Sequence, residues 1–362
     1  MLLYETNKWD IKTHVLDPSE TSPCKYLCNY FQKGDLTDYD TVYQFGKGVE
    51  TLTVEIEHVN IEALFQLERE GVEVYPQARI LAIVQNKITQ KQFYQAHNIP
   101  TVTFMNFNSK KDFEGKQAFP YIWKSALFGY DGKGVAVVKD STAEARLPDV
   151  ACVIENVVPI KKELAVIVAR NLMGEIVTYP VVEMSFSNEA SLVEFVISPA
   201  RISEDTVKRA TKIAVQVSKE MQHVGLLAVE LFLTKNEEIL VNEVAPRPHN
   251  SGHFSIEGSL TNQFEQHIRS VLKLPLGSTD IKTPAVMINL LGAKGFEGDA
   301  YYKNIEKILA VKGVTPHIYG KKQTHPFRKM GHITVVSPNL ETAIETAKNV
   351  KKTIKVIASN KY

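Results

Sequence analysis

Two carboxylates interrupt strongly apolar segments of the chain, and their spacing suggests that they share a cation. Glu230 lies in "LLAVELFLT" (226–234) and Glu243 lies in "EILVNEVAP" (238–246). A carboxylate inside an apolar strand costs free energy unless it is ion-paired, hydrogen-bonded or bound to a cation. If "TKNEE" turns a hairpin whose centre falls between Asn236 and Glu237, both carboxylates are equally far from that centre and become cross-strand neighbours.

Like charges that face each other across a sheet, with Cβ atoms roughly 4.5–5.5 Å apart, repel. Magnesium is commonly held by one or two carboxylates while substrate phosphates and water complete its octahedron. The pair therefore predicts a Mg²⁺ site, with Mn²⁺ as an alternative ion. A register shifted by one residue, or one glutamate on a solvated edge, would separate the two carboxylates instead.

The segment "APRPHNSGH" (245–253) follows the second of these strands and is rich in hydrogen-bond donors. Arg247, His249 and Asn250 could surround an anionic substrate or intermediate. His249 and His253 have the i, i+4 spacing of helical zinc ligands, but the prolines and the glycine of this segment favour a loop. No zinc site is expected here.

Lys124 poses the same problem with the opposite charge. It lies beside Trp123 in "YIWKS" (121–125), just before "FGYDGKG" (128–134). A buried lysine needs an anion, and the three glycines that follow would let backbone N–H groups approach phosphate oxygens. A simple hairpin without a ligand accounts for the glycines equally well.

The stretch "VIENVVPIKKE" (153–163) joins two predicted strands through a proline. Its backbone amides and carbonyls are free of a regular ladder and could bind an adenine edge. Glu155 or Glu163 could accept hydrogen bonds from ribose hydroxyls. A solvated surface connection is the alternative.

A basic cluster occurs near the carboxyl end, in "YGKKQTHPFRKMGH" (319–332). Its cations are Lys321, Lys322, Arg328 and Lys329. Such a cluster suits a phosphate ester, although a solvated basic loop would look the same in sequence.

Three kinds of segment must position these groups. Residues 1–85 alternate short apolar strands with helical stretches, which predicts a parallel α/β layer. From about 118 to 185, strands joined by glycine or proline predict an antiparallel sheet. A long helix over "EDTVKRATKIAVQVSKEMQHV" (204–224), with Gly225 as the expected cap past its end, precedes the carboxylate hairpin. A small α+β unit ends the chain.

The overall composition excludes several functional classes. The chain has 362 residues, with 44% hydrophobic and 23% charged residues and a formal charge of +1, so neither nucleic acid nor a membrane surface is an expected partner. Three cysteines are too few for a disulfide framework, which favours a reducing cytoplasmic setting. No apolar run approaches the roughly 20 residues of a membrane span, and secretion is not expected.

Together and in this order, these motifs resemble the ATP-grasp superfamily, and more closely the N5-carboxyaminoimidazole ribonucleotide synthetase family, the ATP-dependent carboxylases of purine biosynthesis. The likeness depends on "FGYDGKG", "NEVAPRPHNSGH", "FEQHIR" and "RKMGHITV", with weaker support from "VLDP", "EIEHV" and "QNKITQKQF". It implies an ATP-grasp fold with a Rossmann-like pre-ATP-grasp domain at 1–85, an ATP-grasp domain at 86–278 whose lid spans about 115–160, and a C-terminal substrate-binding α+β domain at 279–362.

The resemblance also implies a role for each motif residue. Lys87 and Lys124 would contact the ATP phosphates, Glu155, Asn156, Val157 and Val158 would form the adenine hinge, Glu163 would hold the ribose, and Glu230 with Glu243 would bind magnesium. The 5-aminoimidazole ribonucleotide would meet Tyr130, Asp131 and Lys133, and its phosphate would meet Lys321, Arg328 and Lys329. Arg247, His249 and Asn250 would surround bicarbonate and the carboxyphosphate made from it; Asp131 and His249 are candidates for the group that removes the amine proton. A homodimer is expected.

The sequence departs from the family pattern at two places. Members begin with a strand and a glycine-rich loop of the type GGGQLG, whereas "MLLYETNKWD" resembles the helix after that loop, so the first strand is expected to be missing. Phe128 and Gly129 stand where two glycines are usual, which predicts a stiffer lid. The competing functions are another ATP-grasp ligase, such as a formate-dependent glycinamide ribonucleotide transformylase, and a nucleotide-binding protein without turnover.

Overall fold

A computed structural model describes residues 1–127, 134–186 and 192–359 of the chain. The first part is the predicted parallel α/β layer. Its elements are α1 (Leu2–Lys8), β1 (His14–Asp17), β2 (Tyr30–Lys33), α2 (Tyr39–Gly46), β3 (Thr51–Thr53), α3 (Ile61–Arg69), β4 (Glu73–Tyr75), α4 (Ala78–Gln85) and α5 (Lys87–Ala96). β1 pairs with β2 and β3 with β4, both in parallel. Asp38, Asn60 and Asn86 accept hydrogen bonds from the first turns of α2, α3 and α5, which is why these helices begin there.

A small antiparallel sheet follows. It contains β5 (Phe104–Phe107), β6 (Tyr121–Ser125), β7 (Val135–Val138) and β8 (Cys152–Asn156), in the order β5-β8-β6-β7, with α6 (Ser141–Ala145) after β7. Phe113, Tyr121 and Trp123 fill its core. This confirms the antiparallel pattern read from the glycine- and proline-joined strands.

The remaining strands form one large sheet and a small one. Their elements are β9 (Ile160–Arg170), β10 (Ile176–Thr178), β11 (Val182–Phe186), β12 (Val193–Ser198), α7 (Glu204–Met221), β13 (Gly225–Thr234), β14 (Ile239–Ala245), α8 (Ser255–Gly258), α9 (Gln263–Val271), β15 (Ala285–Leu291), β16 (Gly298–Lys303), α10 (Ile305–Leu309), β17 (Val314–Ile318), β18 (Gln323–Thr324), β19 (Lys329–Val336), α11 (Leu340–Thr353) and β20 (Lys355–Ala358).

The large sheet has nine strands and crosses the expected unit boundary. Its order is β14-β13-β9-β11-β12-β15-β19-β17, with β10 also paired to β9. The antiparallel β12–β15 pair connects the strands that carry the carboxylate hairpin to those of the C-terminal unit. α7 packs its apolar face on one part of this sheet, and α11 packs on the other. One continuous scaffold therefore positions the carboxylate hairpin and the basic loop.

The expectation that Gly225 caps α7 is wrong. The helix ends at Met221, and Gln222 takes the left-handed conformation at φ 51°. Gly225 instead opens β13 at φ +108°, where a Cβ atom would lie 3.0 Å from the His267 ring. Close packing against α9 and the positive φ explain this glycine.

Within the described ranges, no helix combines the length and the apolar character needed to cross a lipid bilayer.

Candidate active site

The carboxylate hairpin forms as expected, with one irregularity. The strand pairs next to the turn centre the hairpin on Asn236, half a residue from the predicted centre. A bulge in β14, where Asn242 and Glu243 face the single residue Glu230 of β13, then shifts the register so that Val229 pairs with Val244. Glu230 lies at this bulge, beside Glu243 of the neighbouring strand. The bulge thus brings together the two carboxylates that a regular ladder with this turn would have offset.

The two carboxyls have opposite electrostatic environments. Burial, and then the neighbouring charge of Glu243, raises the pKa of Glu230 well above its usual range. Burial opposes ionisation of Glu243 as well, but Lys87 and Lys124 outweigh it and lower the pKa of Glu243; the Lys87 Nζ lies 2.5 Å from Glu243 Oε2. Two adjacent, partly buried carboxyls repel each other when both are ionised, and a divalent cation would offset that repulsion.

A metal would need further ligands from outside the protein. Among residues 1–127, 134–186 and 192–359, no group of three or more His, Cys, Asp and Glu side chains is arranged to hold a metal ion by itself. Asn242 donates from Nδ2 to Glu230 Oε2 at 3.4 Å, so an amide also borders the pair. Two carboxylates suit a Mg²⁺ ion that shares its remaining positions with phosphates and water.

Lys124 belongs to a buried ionic network. Its Nζ lies 2.7 Å from Glu155 Oε2 and donates to Asn242 Oδ1 at 3.0 Å. The other oxygen of Glu155 lies 2.6 Å from Lys91 Nζ. Glu155 is only 2% exposed, and two lysines together overcome its burial and lower its pKa. The side chain of Glu155 therefore faces lysines, and its backbone lies in β8 between the paired strands β5 and β6.

The predicted adenine hinge is an exposed link between two sheets. Asn156 ends β8, and its N–H donates to Thr103 O at 3.1 Å. Val157 is 47% exposed, and Val158 precedes the start of β9. Glu163 lies further along β9, where burial raises its pKa to about 7 against the influence of Lys124. Of the two acidic candidates for ribose, Glu163 has the carboxyl that is not enclosed by a lysine pair.

The segment after β14 bends back over the carboxylates. Arg247 Nε lies 2.7 Å from Glu57 Oε2, and His249 Nε2 lies 3.5 Å from Glu230 Oε1. His249 Nδ1 accepts from the Ser251 N–H at 3.3 Å, so Nε2 carries the ring proton. Burial and the nearby cations Arg247 and Lys329 lower the pKa of His249 to about 3. It is a neutral imidazole that presents an N–H.

Asn250 contributes an unused donor. Its Nδ2 is buried and has no hydrogen-bond partner among the described residues. Leaving such a group unpaired costs about 1–3 kcal/mol. This buried donor, in the residue after His249, is available to an acceptor.

Gln263 fixes the shape of this segment. Its Oε1 accepts from the His249 N–H at 2.9 Å, while its Nε2 donates to His249 O at 2.9 Å and to His253 Nδ1 at 2.7 Å. The backbone partners identify the two ends of the amide without ambiguity. A Cβ atom at position 252 would lie 2.4 Å from Gln263 Oε1, so only Gly252 leaves room for the amide.

Gly252→Ala is therefore expected to displace Gln263 and lower stability by about 1–3 kcal/mol, the usual cost of overpacking a filled site. Thermal unfolding followed by circular dichroism measures it. Gly48→Ala is the matched control, since its Cβ would meet only Phe45 O at 3.4 Å. An unchanged melting temperature for Gly252→Ala would show that Gln263 can move freely.

The basic loop borders the same space. Lys321 Nζ donates to Lys329 O at 2.8 Å, and Arg328 Nη1 donates to Gln323 O at 2.6 Å. Burial raises the pKa of Glu55, and the positive charges of Arg247 and Lys321 both oppose that rise. Together with the influence of Lys329 on His249, this shows that the loop and the segment 245–253 face one another.

The structure brings together most of the predicted site. Lys87, Lys124, Glu155, Glu163, Glu230, Glu243, Arg247 and His249 influence one another electrostatically or by direct contact. Tyr130, Asp131 and Lys133 lie outside the described residues. Glu57 and Lys91 were not anticipated as site residues, since Glu57 stood out only within "EIEHV" and Lys91 within "QNKITQKQF".

The chain matches three family descriptions along its length. Residues 1–85 match the ribonucleotide synthetase preATP-grasp domain, 92–264 the ATP-grasp domain and 285–346 the phosphoribosylaminoimidazole carboxylase C-terminal domain. The crystal structure of N5-carboxyaminoimidazole ribonucleotide synthetase from Thermotoga maritima is 40% identical, with a TM-score of 0.92, covering 99% of this chain and 96% of that one. The chain belongs to the N5-carboxyaminoimidazole ribonucleotide synthetase family. The predicted ATP-grasp fold is confirmed.

Two further members of the synthetase family are similar to this chain over most of its length. The N5-carboxyaminoimidazole ribonucleotide synthase of Bacillus subtilis is 36% identical over 92% of this chain and 87% of its own length. The Aspergillus clavatus enzyme, solved with ADP and 5-aminoimidazole ribonucleotide, is 28% identical with a TM-score of 0.88, covering 98% of this chain and 94% of that one. Other relatives, called phosphoribosylaminoimidazole carboxylases, are longer: the chain spans 63–65% of their length.

Proposed function

We propose that this chain carboxylates 5-aminoimidazole ribonucleotide at its amine, using ATP and bicarbonate and releasing ADP and phosphate. The observation that carries the proposal is the convergence of two lysines, Lys87 and Lys124, a carboxylate pair, a neutral histidine donor and a basic loop on one space. The names of the Bacillus subtilis and Thermotoga maritima relatives, and the ligands of the Aspergillus clavatus structure, support it.

The lysines supply positive charge where phosphates would bind. Without nucleotide, Lys87 is held by Glu243 and Lys124 by Glu155. Lys91 also pairs with Glu155, so Lys124 can turn to a phosphate oxygen without leaving a bare buried carboxylate. Glu230 and Glu243 would hold Mg²⁺, which when bound neutralises charge on the phosphates during phosphoryl transfer.

The donor segment suits bicarbonate and carboxyphosphate. The γ-phosphoryl group of ATP moves to a bicarbonate oxygen, and the substrate amine then takes the carboxyl group with loss of phosphate and a proton. Arg247, His249 Nε2–H and Asn250 Nδ2 would donate to the carboxyl oxygens. Because His249 Nδ1 is already an acceptor for backbone N–H, His249 acts as a donor in this scheme and not as the base.

The ribonucleotide would bind between this segment and the basic loop. Lys321, Arg328 and Lys329 would meet its phosphate as a compact patch of cations. We further propose a cytoplasmic homodimer: the three cysteines are all unpaired, which suits a reducing compartment, and the dimer follows from the family resemblance.

The first test is ADP release by the purified chain with magnesium and bicarbonate, with and without 5-aminoimidazole ribonucleotide. Stimulation by the ribonucleotide, with carboxylated product, is the expected result. Activity with formate and glycinamide ribonucleotide instead would favour a transformylase. Thermal stabilisation by ATP without any ADP release would favour a binding protein without turnover.

A pH series tests the ribose role of Glu163. With a pKa raised to about 7, this carboxyl is mostly ionised at pH 8 and mostly protonated at pH 6, so the ribose loses its acceptor as the pH falls. The KM for ATP should rise about tenfold between pH 8 and pH 6, following the ionised fraction. Glu163→Gln should have a high KM across the range; a variant that keeps the wild-type pH slope would contradict the assignment.

A further inference from the structure

Four side chains that the reaction scheme does not use form a row between the donor segment and the C-terminal strands. Glu257 Oε1 lies 2.8 Å from His317 Nε2. The His317 ring stacks on His332 at 4.5 Å between centroids, and His332 lies 4.7 Å from His253. We call Glu257, His317, His332 and His253 the imidazole row. Two of its members come from the segment 253–257, and two come from β17 and β19.

The row is not arranged for metal binding or for proton transfer. Within the described ranges, no set of three or more His, Cys, Asp and Glu side chains could hold a metal ion. The His317 and His332 rings are stacked at 18° between planes, and the His253 and His332 rings are tilted at 40°. Neither histidine–histidine contact is a described hydrogen bond, and a stacked pair offers no N–H···N path for a proton. Its remaining effect is geometric.

Hydrogen bonds fix the rings in place. Gln263 donates to His253 Nδ1 at 2.7 Å, which leaves His253 neutral with its proton on Nε2. Tyr319 Oη lies 3.1 Å from His332 Nδ1. His332 is fully buried, and its Nε2 has no hydrogen-bond partner among the described residues. An unpaired buried nitrogen costs about 1–3 kcal/mol, so the position of this ring must matter for another reason.

The row connects the two halves of the proposed substrate site. His253 lies four residues after His249, and His332 lies three residues after Lys329. His317 and His332 are direct partners in the β17–β19 ladder, so both rings belong to one rigid pair of strands. The row is thus the contact between the segment that would hold bicarbonate and the strand that starts at a phosphate-binding lysine.

We propose that the imidazole row is a positioning device that sets the distance between the carboxyphosphate side and the ribonucleotide side of the site. The proposal rests on the function proposed above. Its members are positioning residues, since none of them touches the reacting groups. Misplacing the row by about 1 Å would let ATP be consumed without carboxylation, because positional errors of this size cost up to about 10²-fold in a transfer step.

The test measures coupling, the ratio of carboxylated product to ADP released, together with the KM values for ATP and 5-aminoimidazole ribonucleotide. His332→Ala should lower the coupling ratio about tenfold and raise the ribonucleotide KM, with the ATP KM unchanged. His332→Phe keeps a stacking ring and should restore most of the coupling. Glu257→Gln removes the carboxylate that contacts His317 Nε2 and serves as a milder variant if His332→Ala does not fold.

A matched control and two contrary outcomes complete the design. His97 has the same chemistry away from the site, with Nδ1 2.9 Å from Glu220 Oε2 and its ring 4.4 Å from that of Phe93; His97→Ala should leave coupling unchanged. Folded row variants that lose kcat but keep wild-type coupling and KM would overturn the positioning role. A wild-type chain that does not respond to the ribonucleotide would overturn the proposed function itself.

Discussion

Glu243→Gln is expected to reduce ADP release strongly while the chain remains folded. The amide keeps the shape of the side chain and can still accept a hydrogen bond from Lys87, but it removes the carboxyl that is ionised in the resting pair. The site then offers one carboxyl, Glu230, to a divalent cation, and burial still opposes the ionisation of that carboxyl. We expect turnover to fall on the order of 10²–10³-fold, the loss typical of removing one group that stabilises transition-state charge.

Steady-state ADP release at several magnesium concentrations measures this effect. The control is Glu237→Gln, the same change at the tip of the same hairpin, where the side chain is half exposed and pairs with Lys161. It should leave turnover unchanged. Near-normal ADP formation by Glu243→Gln would remove this residue from the proposed metal site.

Lys124→Met should have an effect of similar size for a different reason. The methionine fills the buried path of the lysine stem but brings no charge to the nucleotide phosphates. Glu155 keeps Lys91 as an ion-pair partner at 2.6 Å, so the buried carboxylate is not left bare and the fold should persist. We expect kcat/KM for ATP to fall on the order of 10²–10³-fold.

Isothermal titration of ATP measures the loss of nucleotide affinity in Lys124→Met, and thermal unfolding measures any loss of stability. Lys110→Met is the control, because Lys110 lies in the part of the chain that carries β5 to β8 and its Nζ contacts Ala145 O and Glu114. Wild-type ATP affinity and turnover in Lys124→Met would exclude a phosphate contact. A loss of folding would instead show that Lys91 alone cannot balance Glu155.

Local sequence patterns predicted the two strands of the carboxylate hairpin and the proximity of its two glutamates. The alternation of apolar residues identified the strands of the carboxylate hairpin, and the hairpin symmetry put Glu230 beside Glu243. The bulge in β14 and the turn centred on Asn236 escaped prediction. Bulges depend on how the two strands pack on their neighbours, and the local sequence carries little of that information.

The contacts that escaped prediction join distant parts of the chain. Arg247 meets Glu57, and Lys91 meets Glu155. Neither pair has a fixed spacing that could be recognised, because each is set by how whole sheets and helices pack. The predicted cap of α7 was wrong for a related reason. A glycine is needed at position 225 because a Cβ atom there would crowd the His267 ring, and not because the helix ends there.

The continuous nine-stranded sheet has a consequence for how this molecule can evolve and be dissected. The β12–β15 ladder, from Phe195–Ile288 to Ser198–Ala285, joins the nucleotide-side strands to the C-terminal strands by antiparallel backbone pairing. Cutting the chain between them would leave two buried strands with open hydrogen-bonding edges, which are sites of aggregation. The C-terminal unit is therefore not an exchangeable module: it can diverge in its loops, but it must fold and unfold cooperatively with the strands that carry the carboxylates.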